Sequence, residues 1–194
     1  MSIELEGFRE IGYEVFGYRH AAAIMKQDFS VEWSDIWNVL QSFYVLKSHV
    51  TVGGGGKTKT AQDIDSRFRS LGWREKQFST QVTVDGVTRN SPTHKVDCVK
   101  SRVALELEWS NKDPFYDRDL NNFRLLFELR AISVGIIITK SDSLRPVFER
   151  LGLWSKYGTS TTFMNKLTPR IEGGGGGGCP LLVFGITDQR FLED

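Results

Sequence analysis

Cysteine is scarce in this sequence, and the few metal-binding or redox-active side chains are scattered. Of 194 residues only Cys98 and Cys179 are cysteines, and neither has a second cysteine or a histidine beside it. The three histidines, His20, His49 and His94, do not fall at ligand spacing either. These absences argue against a disulfide scaffold and a zinc site, so we expect two buried free thiols and ordinary histidines.

Long apolar runs are lacking as well. The first 20 residues are acidic and broken up by charge, so we expect neither a secretory signal nor a membrane span, with a cytoplasmic location as the default. With 194 residues, 40% of them hydrophobic and 25% charged, the chain fits one domain over 1–194 with a sizeable core.

The net charge of +1 conceals an uneven distribution of charge along the chain. Residues 57–102 contain ten Lys/Arg against five acids, whereas residues 1–56 contain four against seven. Cations that lead into carboxylates suit an enzyme that cuts phosphodiesters, because the cations contact the backbone and the carboxylates hold a metal. A solvated surface produces the same split, so both interpretations remain open.

The run TVGGGGKTKT at 51–60 resembles a nucleotide-binding loop but lacks one required residue. A phosphate-cradling loop needs glycine five positions before Gly56-Lys57, and Thr51 stands there instead. We therefore predict no nucleotide cofactor and a flexible loop near 53–56 that carries Lys57 and Lys59 toward an anion or toward water. The six glycines at 173–178 predict a second mobile loop.

The hydrophobic periodicity predicts an α/β fold in which helices flank a mixed central sheet. Helices are predicted over 31–46 after a Ser30 cap, over 61–73 after a Thr60 cap, over 119–132, and from about Pro146. Strands are predicted in QFSTQVTVDGVT around an Asp-Gly turn, in VGIIIT at 134–139, and in PLLVFGIT near the C-terminus. Asp63 and Asp65 would lie on outer, solvated faces of the second helix.

The stretch VDCVKSRVALELEW brings carboxylates together. Strict alternation places Glu106 and Glu108 on one face of a strand, with Cα atoms about 6.5 Å apart. A turn at 100–102 would fold Asp97 back beside Glu106. Carboxylates that converge raise one another's pKa unless a cation lies among them, and Mg²⁺ prefers such oxygen ligands. The alternative is an edge strand with a solvated acidic face.

The same stretch carries a family resemblance. In residue type, spacing and order, VDCVKSRVALELEWSN, LNNFRLLFE and GIIITK resemble the BglII/BstYI family of type II restriction endonucleases, which belongs to the PD-(D/E)XK nuclease superfamily. WSDIW, the Phe68, Gly72 and Trp73 helix ending, and PLLVFGI fit the same pattern. The resemblance covers roughly residues 30–187 and implies a restriction-endonuclease-like (PD-(D/E)XK) core.

By this resemblance, the catalytic residues are Asp97, Glu106 and Glu108. Asp97, Glu106 and the Leu107 carbonyl would bind Mg²⁺ or Mn²⁺. Glu108 stands where the wider superfamily has lysine. It could accept a proton from water, orient that water or hold a second metal, and the sequence does not separate these roles.

The resemblance also implies contacts with DNA. The residues involved would be Lys57, Thr58 and Lys59 on the glycine loop, Ser110 and Asn111 after the catalytic strand, Asn122 on the next helix, and Ser160 and Thr161 on a second loop. Asn111 has the donor and acceptor that suit adenine. Asn121 and Asn122 serve equally well as helix caps, so that alternative stays open.

Taken together, the resemblance implies a sequence-specific double-strand DNA endonuclease that acts as a homodimer on a palindrome. A six-base site centred on GATC, cut to leave 5′ overhangs, would follow the family. The helix at 119–132 carries more apolar residues than one face needs, which suits a subunit contact. The alternatives are a repair or structure-selective nuclease, a DNA-binding module without cleavage, and an unrelated interaction domain.

Overall fold

The structure is a computed structural model that describes residues 4–52, 56–90 and 93–194. The helices are α1 (Leu5–Glu10), α2 (Ala21–Asp28), α3 (Ser30–Ser42), α4 (Lys47–Thr51), α5 (Lys59–Ser70), α6 (Phe115–Glu128), α7 (Arg145–Arg150), α8 (Trp154–Tyr157) and α9 (Met164–Glu172). The strands are β1 (Tyr13–Tyr18), β2 (Val45–Leu46), β3 (Arg74–Gln77), β4 (Gln81–Val84), β5 (Val87–Asn90), β6 (Lys95–Lys100), β7 (Val103–Glu108), β8 (Val134–Lys140), β9 (Leu181–Ile186) and β10 (Phe191–Leu192). No helix in these ranges is long and apolar enough to cross a membrane.

A six-stranded mixed sheet with the order β1-β9-β8-β7-β6-β3 forms the centre of the fold. Its inner strands β7, β8 and β9 are parallel, whereas β1, β6 and β3 each run antiparallel to their neighbours. Helices pack on both faces, which confirms the predicted fold class. Strand β8 is buried along its whole length, as its β-branched run predicted.

The alternation of β7 divides its side chains between two hydrophobic clusters. Leu105 and Leu107 pack with residues of α3 and α5 on one face of the sheet. Ala104 packs with residues of α6 and α9 on the other face. Glu106 and Glu108 share the parity of Ala104, so they point toward the α6 side.

Helix α6 packs against β8 at a glycine that leaves no room for a side chain. A Cβ on Gly135 would come within 2.7 Å of a Phe123 ring carbon and 2.8 Å of a Leu181 methyl group. This close contact fixes the height of α6 above β7, the strand that carries the acids.

The helix predicted over 31–46 is shorter than expected. It begins at Ser30, with Phe29 rather than Ser30 as the N-cap residue, and it ends at Ser42. The chain leaves the helix because Val45–Leu46 pairs with Phe191–Leu192, and Arg190 donates to the carbonyls of the last helical turn.

The second predicted helix differs in its cap and in one of its faces. Thr58, not Thr60, is the N-cap, and its hydroxyl accepts a hydrogen bond from the Ala61 amide at 3.3 Å. The expectation that Asp65 is solvated was wrong, because Asp65 is buried and forms an ion pair with Lys57. Asp63 remains partly exposed and binds Arg67.

The Asp-Gly turn is confirmed, and its residues explain its geometry. Strands β4 and β5 pair in register around Asp85 and Gly86, whose φ angles are 48° and 78°. Two consecutive positive φ values define the tight hairpin turn that Asp-Gly favours. The predicted turn between β6 and β7 is confirmed too, with Ser101 at φ 52°.

The two glycine runs have different outcomes. In the first, residues 53–55 lie outside the described residues, so the predicted loop there is represented only by Gly56 at φ 89°. The run at 173–178 forms hydrogen-bonded turns after α9 rather than a loop without structure. Cβ atoms on Gly176 and Gly177 would come within 2.6 Å of Leu181 and 2.7 Å of Arg124, so this segment packs against its surroundings.

Candidate active site

Strands β6 and β7 separate at the residues that carry the acids. Their backbone pairing runs from Lys100 and Val103 only as far as Cys98 and Leu105. Beyond that point carboxylates replace the backbone ladder: the Asp97 amide donates to Glu106 Oε2 at 3.2 Å, and the Leu107 amide donates to Asp97 Oδ2 at 3.1 Å. The separation opens a cleft at this edge of the sheet, with Asp97 and Glu106 facing each other.

Glu106 is an acid in an environment that disfavours its charge. The residue is 2% exposed, and its Oε1 is buried without a hydrogen-bond partner among the described residues. Burial raises the pKa of Glu106 well above its ordinary value, and the nearby acids Asp119 and Asp97 raise it further. A cation beside this carboxylate would relieve both effects.

Glu108 occupies a neighbouring but different position. Its Oε1 accepts from Asn111 Nδ2 at 3.0 Å and lies 3.6 Å from Arg118 Nη2. Burial, followed by the charge of Asp119, raises the pKa of Glu108 to about 9. Asp97 and Glu106 therefore come together as predicted, while Glu108 contacts the groups that border them.

Helix α6 adds two residues that the sequence did not single out. Arg118 Nε donates to Asp119 Oδ1 at 2.9 Å, and Arg118 Nη2 lies 2.8 Å from the same oxygen. Two guanidinium nitrogens therefore contact one carboxylate. Asp119 is fully buried, and burial raises its pKa. Because Arg118 also approaches Glu108, this pair links α6 to the acids on β7.

The cleft has a volume of about 420 Å³ and is lined by charged groups of both signs. Its acidic side is formed by Asp97, Glu106 and Glu108. Lys57 and Arg118 border it as cations. A carboxylate floor with cationic edges is the arrangement that a phosphodiester needs, because the phosphate requires positive charge and a bridging metal requires oxygen ligands.

Of the three glycine-loop residues assigned to DNA contacts, two line the cleft and one does not. Lys57 and Thr58 line the cleft, whereas Lys59, the first residue of α5, is exposed and does not. Lys57 Nζ binds the buried Asp65 and lies 4.0 Å from Asp97 Oδ1. Asp65, whose pKa is raised by burial, therefore holds the lysine at the entrance to the cleft.

Ser110 and Asn111, which the sequence analysis assigned to DNA contacts, line the cleft. Both follow directly on β7, so their position is set by the same strand that carries Glu106 and Glu108. Asn111 also stabilises the local structure. Its carboxamide donates to Glu108, and its backbone carbonyl accepts from the Thr162 amide at 3.0 Å.

Other predicted DNA contacts are not brought to the cleft. Asn122 is buried inside α6 and donates to the His94 carbonyl at 3.4 Å, so it is neither a cap nor a surface group. Thr161 is also buried, and its hydroxyl donates to Tyr157 and Gly158 carbonyls. Ser160 is exposed but accepts from Lys112 Nζ at 2.8 Å.

Across residues 4–52, 56–90 and 93–194, no three His, Cys, Asp or Glu side chains are grouped closely enough to hold a metal by themselves. Any ion here would be bound by two carboxylates plus backbone or solvent oxygen.

Both cysteines are buried free thiols, as predicted. His94, treated as ordinary in the sequence, also lines the cleft, and burial lowers its pKa.

Comparison with known proteins agrees with this geometry. The family model described as restriction endonuclease BglII/BglIII matches residues 13–186, which include every strand of the central sheet and all the residues of the cleft. No curated protein matches the chain. The chain therefore belongs to the BglII/BglIII restriction endonuclease family, a family of nucleases that cut DNA.

Proposed function

We propose that this protein is a divalent-metal-dependent type II endonuclease that cuts both strands of duplex DNA at a palindromic site. The observation that carries the proposal is the exchange of hydrogen bonds between Asp97 and the Glu106 strand, at 3.2 Å and 3.1 Å. That exchange places two carboxylates opposite each other where a sheet ladder would otherwise continue.

Asp97, Glu106 and the Leu107 carbonyl would hold Mg²⁺ or Mn²⁺. The fit rests on the buried Glu106 Oε1, which has no hydrogen-bond partner within the described ranges, and on the hard oxygen character of all three donors. The Leu107 amide already points to Asp97. Because the N–H and C=O of one residue leave a strand on the same side, the Leu107 carbonyl leaves toward Asp97 too. Three protein oxygens leave positions for water and for phosphate.

When bound, a divalent ion would lower the pKa of a coordinated water and neutralise charge on the scissile phosphate. Glu108 lies beside these groups on the same strand face. A cation on Asp97 and Glu106 would lower the pKa of Glu108, and the charged carboxylate would then orient the attacking water or receive its proton. Arg118 keeps Glu108 in place from the α6 side. Lys57, at the cleft entrance, supplies positive charge toward the DNA backbone.

Ser110 and Asn111 are the residues we propose for contacts with base edges, because both lie on the cleft next to the acids. Lys57 and Thr58 face the phosphates from the same cleft. The buried Asn122 and Thr161 support the fold rather than contact DNA.

A homodimer with one cleft in each subunit would read a palindrome, because site symmetry mirrors protein symmetry. Leu125 on α6 and Leu129 directly after it are 36% and 53% exposed, and they are the residues we propose for the subunit contact. Family likeness supports a six-base site centred on GATC and cut to leave 5′ overhangs.

The function is tested by incubating genomic DNA with the protein and Mg²⁺, then sequencing the cut ends. Discrete ends that define one palindrome are expected. A smear or a preference for branched DNA would instead indicate a repair-type nuclease, and binding without cuts would indicate a DNA-binding module. Asymmetric sites would contradict the dimer, and symmetric sites without GATC would contradict the proposed core sequence.

A further inference from the structure

The β4–β5 hairpin stands apart from the central sheet. It forms a separate two-stranded sheet, and every residue from Gln81 to Asn90 is exposed. The pairing is nevertheless regular, with four cross-strand pairs in register around the tight turn at Asp85 and Gly86. A regular ribbon with no core of its own is stabilised weakly, so an occupant on one of its faces would add to its stability.

The two faces of the ribbon differ in chemistry. Gln81 and Asn90 pair across the strands, with Gln81 Nε2 donating to Asn90 Oδ1 at 3.0 Å. Thr83 and Thr88 pair next to them, with their hydroxyl oxygens 2.9 Å apart. One face is therefore a continuous row of carboxamides and hydroxyls.

Alternation puts Val82, Val84, Val87 and Arg89 on the opposite face. The polar row retains hydrogen-bonding capacity after its internal bonds. A carboxamide has two N–H donors and an oxygen with two lone pairs, and the Gln81–Asn90 bond uses one donor and one lone pair.

The base of the hairpin lies beside the cleft. Phe78 and Thr93 close it with three hydrogen bonds. The Thr93 amide and the Thr93 hydroxyl each donate to the Phe78 carbonyl at 3.1 Å, and the Phe78 amide donates to Thr93 Oγ1 at 2.9 Å. The next residue, His94, lines the cleft, as does Glu75 on β3. Because β6 runs antiparallel to β7, the start of β6 lies at the edge where β7 ends and Ser110 follows.

The charge around the hairpin favours an anionic occupant. Residues 74–95 contain four Lys/Arg and two acids. A two-stranded ribbon has the width that the major groove of DNA admits, and carboxamides and hydroxyls are the side chains that read base edges there. Of the two faces of the ribbon, the polar row has the side chains that suit duplex DNA held at the cleft.

We propose that the β4–β5 hairpin enters the major groove of the bound duplex and reads base edges through Gln81, Thr83, Thr88 and Asn90. This inference rests on the proposed DNA endonuclease function, and it assigns part of the sequence specificity to a segment other than Ser110 and Asn111. The four side chains are specificity determinants rather than catalytic residues, because none of them lies on the cleft with Asp97 and Glu106.

The first experiment compares cleavage at the mapped site with cleavage at sites that differ by one base pair. Gln81→Ala combined with Asn90→Ala should lower that discrimination by about 5- to 150-fold, the loss expected when base-edge contacts are removed. Affinity for non-specific DNA at the same salt concentration should stay within about twofold, because phosphate contacts supply it. The matched control is Val84→Thr with Val87→Thr, which alters only the opposite face and should leave discrimination unchanged.

The second experiment does not need cleavage. Both native cysteines are buried, so Thr83→Cys adds a single exposed thiol that can be trapped by a thiol tethered to a cytosine in the major groove. The control is Glu10→Cys, an exposed site beside β1 at the far edge of the sheet. Five strand spacings separate the two edges, roughly 24 Å. Trapping is expected at Thr83 and not at Glu10.

The outcomes separate this inference from the function on which it rests. One outcome would overturn the hairpin inference and leave the nuclease function standing. In it, the protein cuts at one palindrome, the Gln81/Asn90 variant discriminates as well as wild type, and Thr83→Cys is not trapped. A valine variant that splits a dimer, with no effect of the polar variant, would make the hairpin a subunit contact and overturn the inference. Trapping at Thr83 by a protein that cuts no DNA would support the hairpin and reject the nuclease.

Discussion

Replacing Lys140 by methionine should stabilise the protein most at neutral and lower pH. Lys140 ends β8, is fully buried, and donates from Nζ to the Trp109 carbonyl between the rings of Trp109 and Phe163. Burial lowers its pKa from 10.5 to about 7, with Glu108 opposing the effect and Lys166 adding to it. At about 1.4 kcal/mol per pKa unit, the difference between the unfolded and folded pKa values of Lys140 destabilises the folded state by about 5 kcal/mol while the lysine is charged.

The sign follows from proton binding. The unfolded chain keeps the lysine proton up to its ordinary pKa of 10.5, whereas the folded chain releases it near pH 7. Between these values the unfolded state binds the Lys140 proton more than the folded state does, so the contribution of Lys140 to the stability of the wild type becomes less unfavourable as the pH rises across the window. Below about pH 7 both states are protonated and the full cost is present. The advantage of Lys140→Met should therefore be largest there and shrink by about 1.4 kcal/mol for each pH unit above 7.

Urea unfolding of both proteins at a series of pH values from about 6 to 9 measures this difference. Exposed Lys59 supplies the control, because Lys59→Met removes a lysine without removing a buried one. Its free energy of unfolding relative to wild type should stay constant across the series. A Lys140→Met difference that does not change with pH would refute the reasoning.

Three further outcomes are expected. Gly135→Ala should cost about 1–3 kcal/mol in thermal or urea unfolding, because its Cβ would meet atoms at 2.7 Å, whereas Gly17→Ala, with its nearest atom at 3.6 Å, should be tolerated; equal costs would contradict the packing. Leu129→Glu should convert a dimer to monomers in sedimentation, and Val31→Glu, which is 60% exposed, should not; a dimer in both would move the interface elsewhere. Asp119→Asn should lower the cleavage rate more than DNA affinity, because it loosens Arg118; an unchanged rate would remove Asp119 from the site.

Much of the site was predictable because the alternating sequence of β7 indicates which of its side chains share a face. Leu105 and Leu107 alternate with Glu106 and Glu108, and a period of two has one structural meaning for six residues. The Asp97 partner followed from a turn that any antiparallel pair needs. Local pattern was sufficient because these groups are close in sequence.

The contribution of α6 was not predictable by the same means. The helix was expected over residues 119–132, and Asn122 was expected to be a cap or a DNA contact. Its actual start at Phe115 places Asp119 one turn further in and over the sheet. A shift of four residues changes which side chains are buried, and hydrophobic periodicity does not fix the first residue of a helix.

Asp65 shows a second limit of sequence interpretation. Its helix face was expected to meet solvent, yet Lys57 forms an ion pair with it. The contact joins a loop and a helix whose relative position depends on tertiary packing. The residues that flank Asp65 in the sequence, Ile64 and Ser66, give no sign that a cation covers it.

The central claim is that Asp97 and Glu106 hold the ion that activates water for DNA cleavage. The direct measurement is the Mg²⁺-dependent cleavage rate of Glu106→Gln on DNA that contains the mapped site, with DNA affinity measured on the same samples. Glu172→Gln, an exposed acid at the end of α9, is the matched control.

Glutamine fills the space of Glu106 without a buried charge, so the variant should fold at least as stably as wild type and bind the site with unchanged affinity. Its cleavage rate should fall by at least about 10²-fold, the scale expected when one group of a hydrolytic centre is removed. Glu172→Gln should cut at the wild-type rate. Wild-type cleavage by Glu106→Gln, or cleavage by the wild type after removal of all divalent ions, would contradict the account.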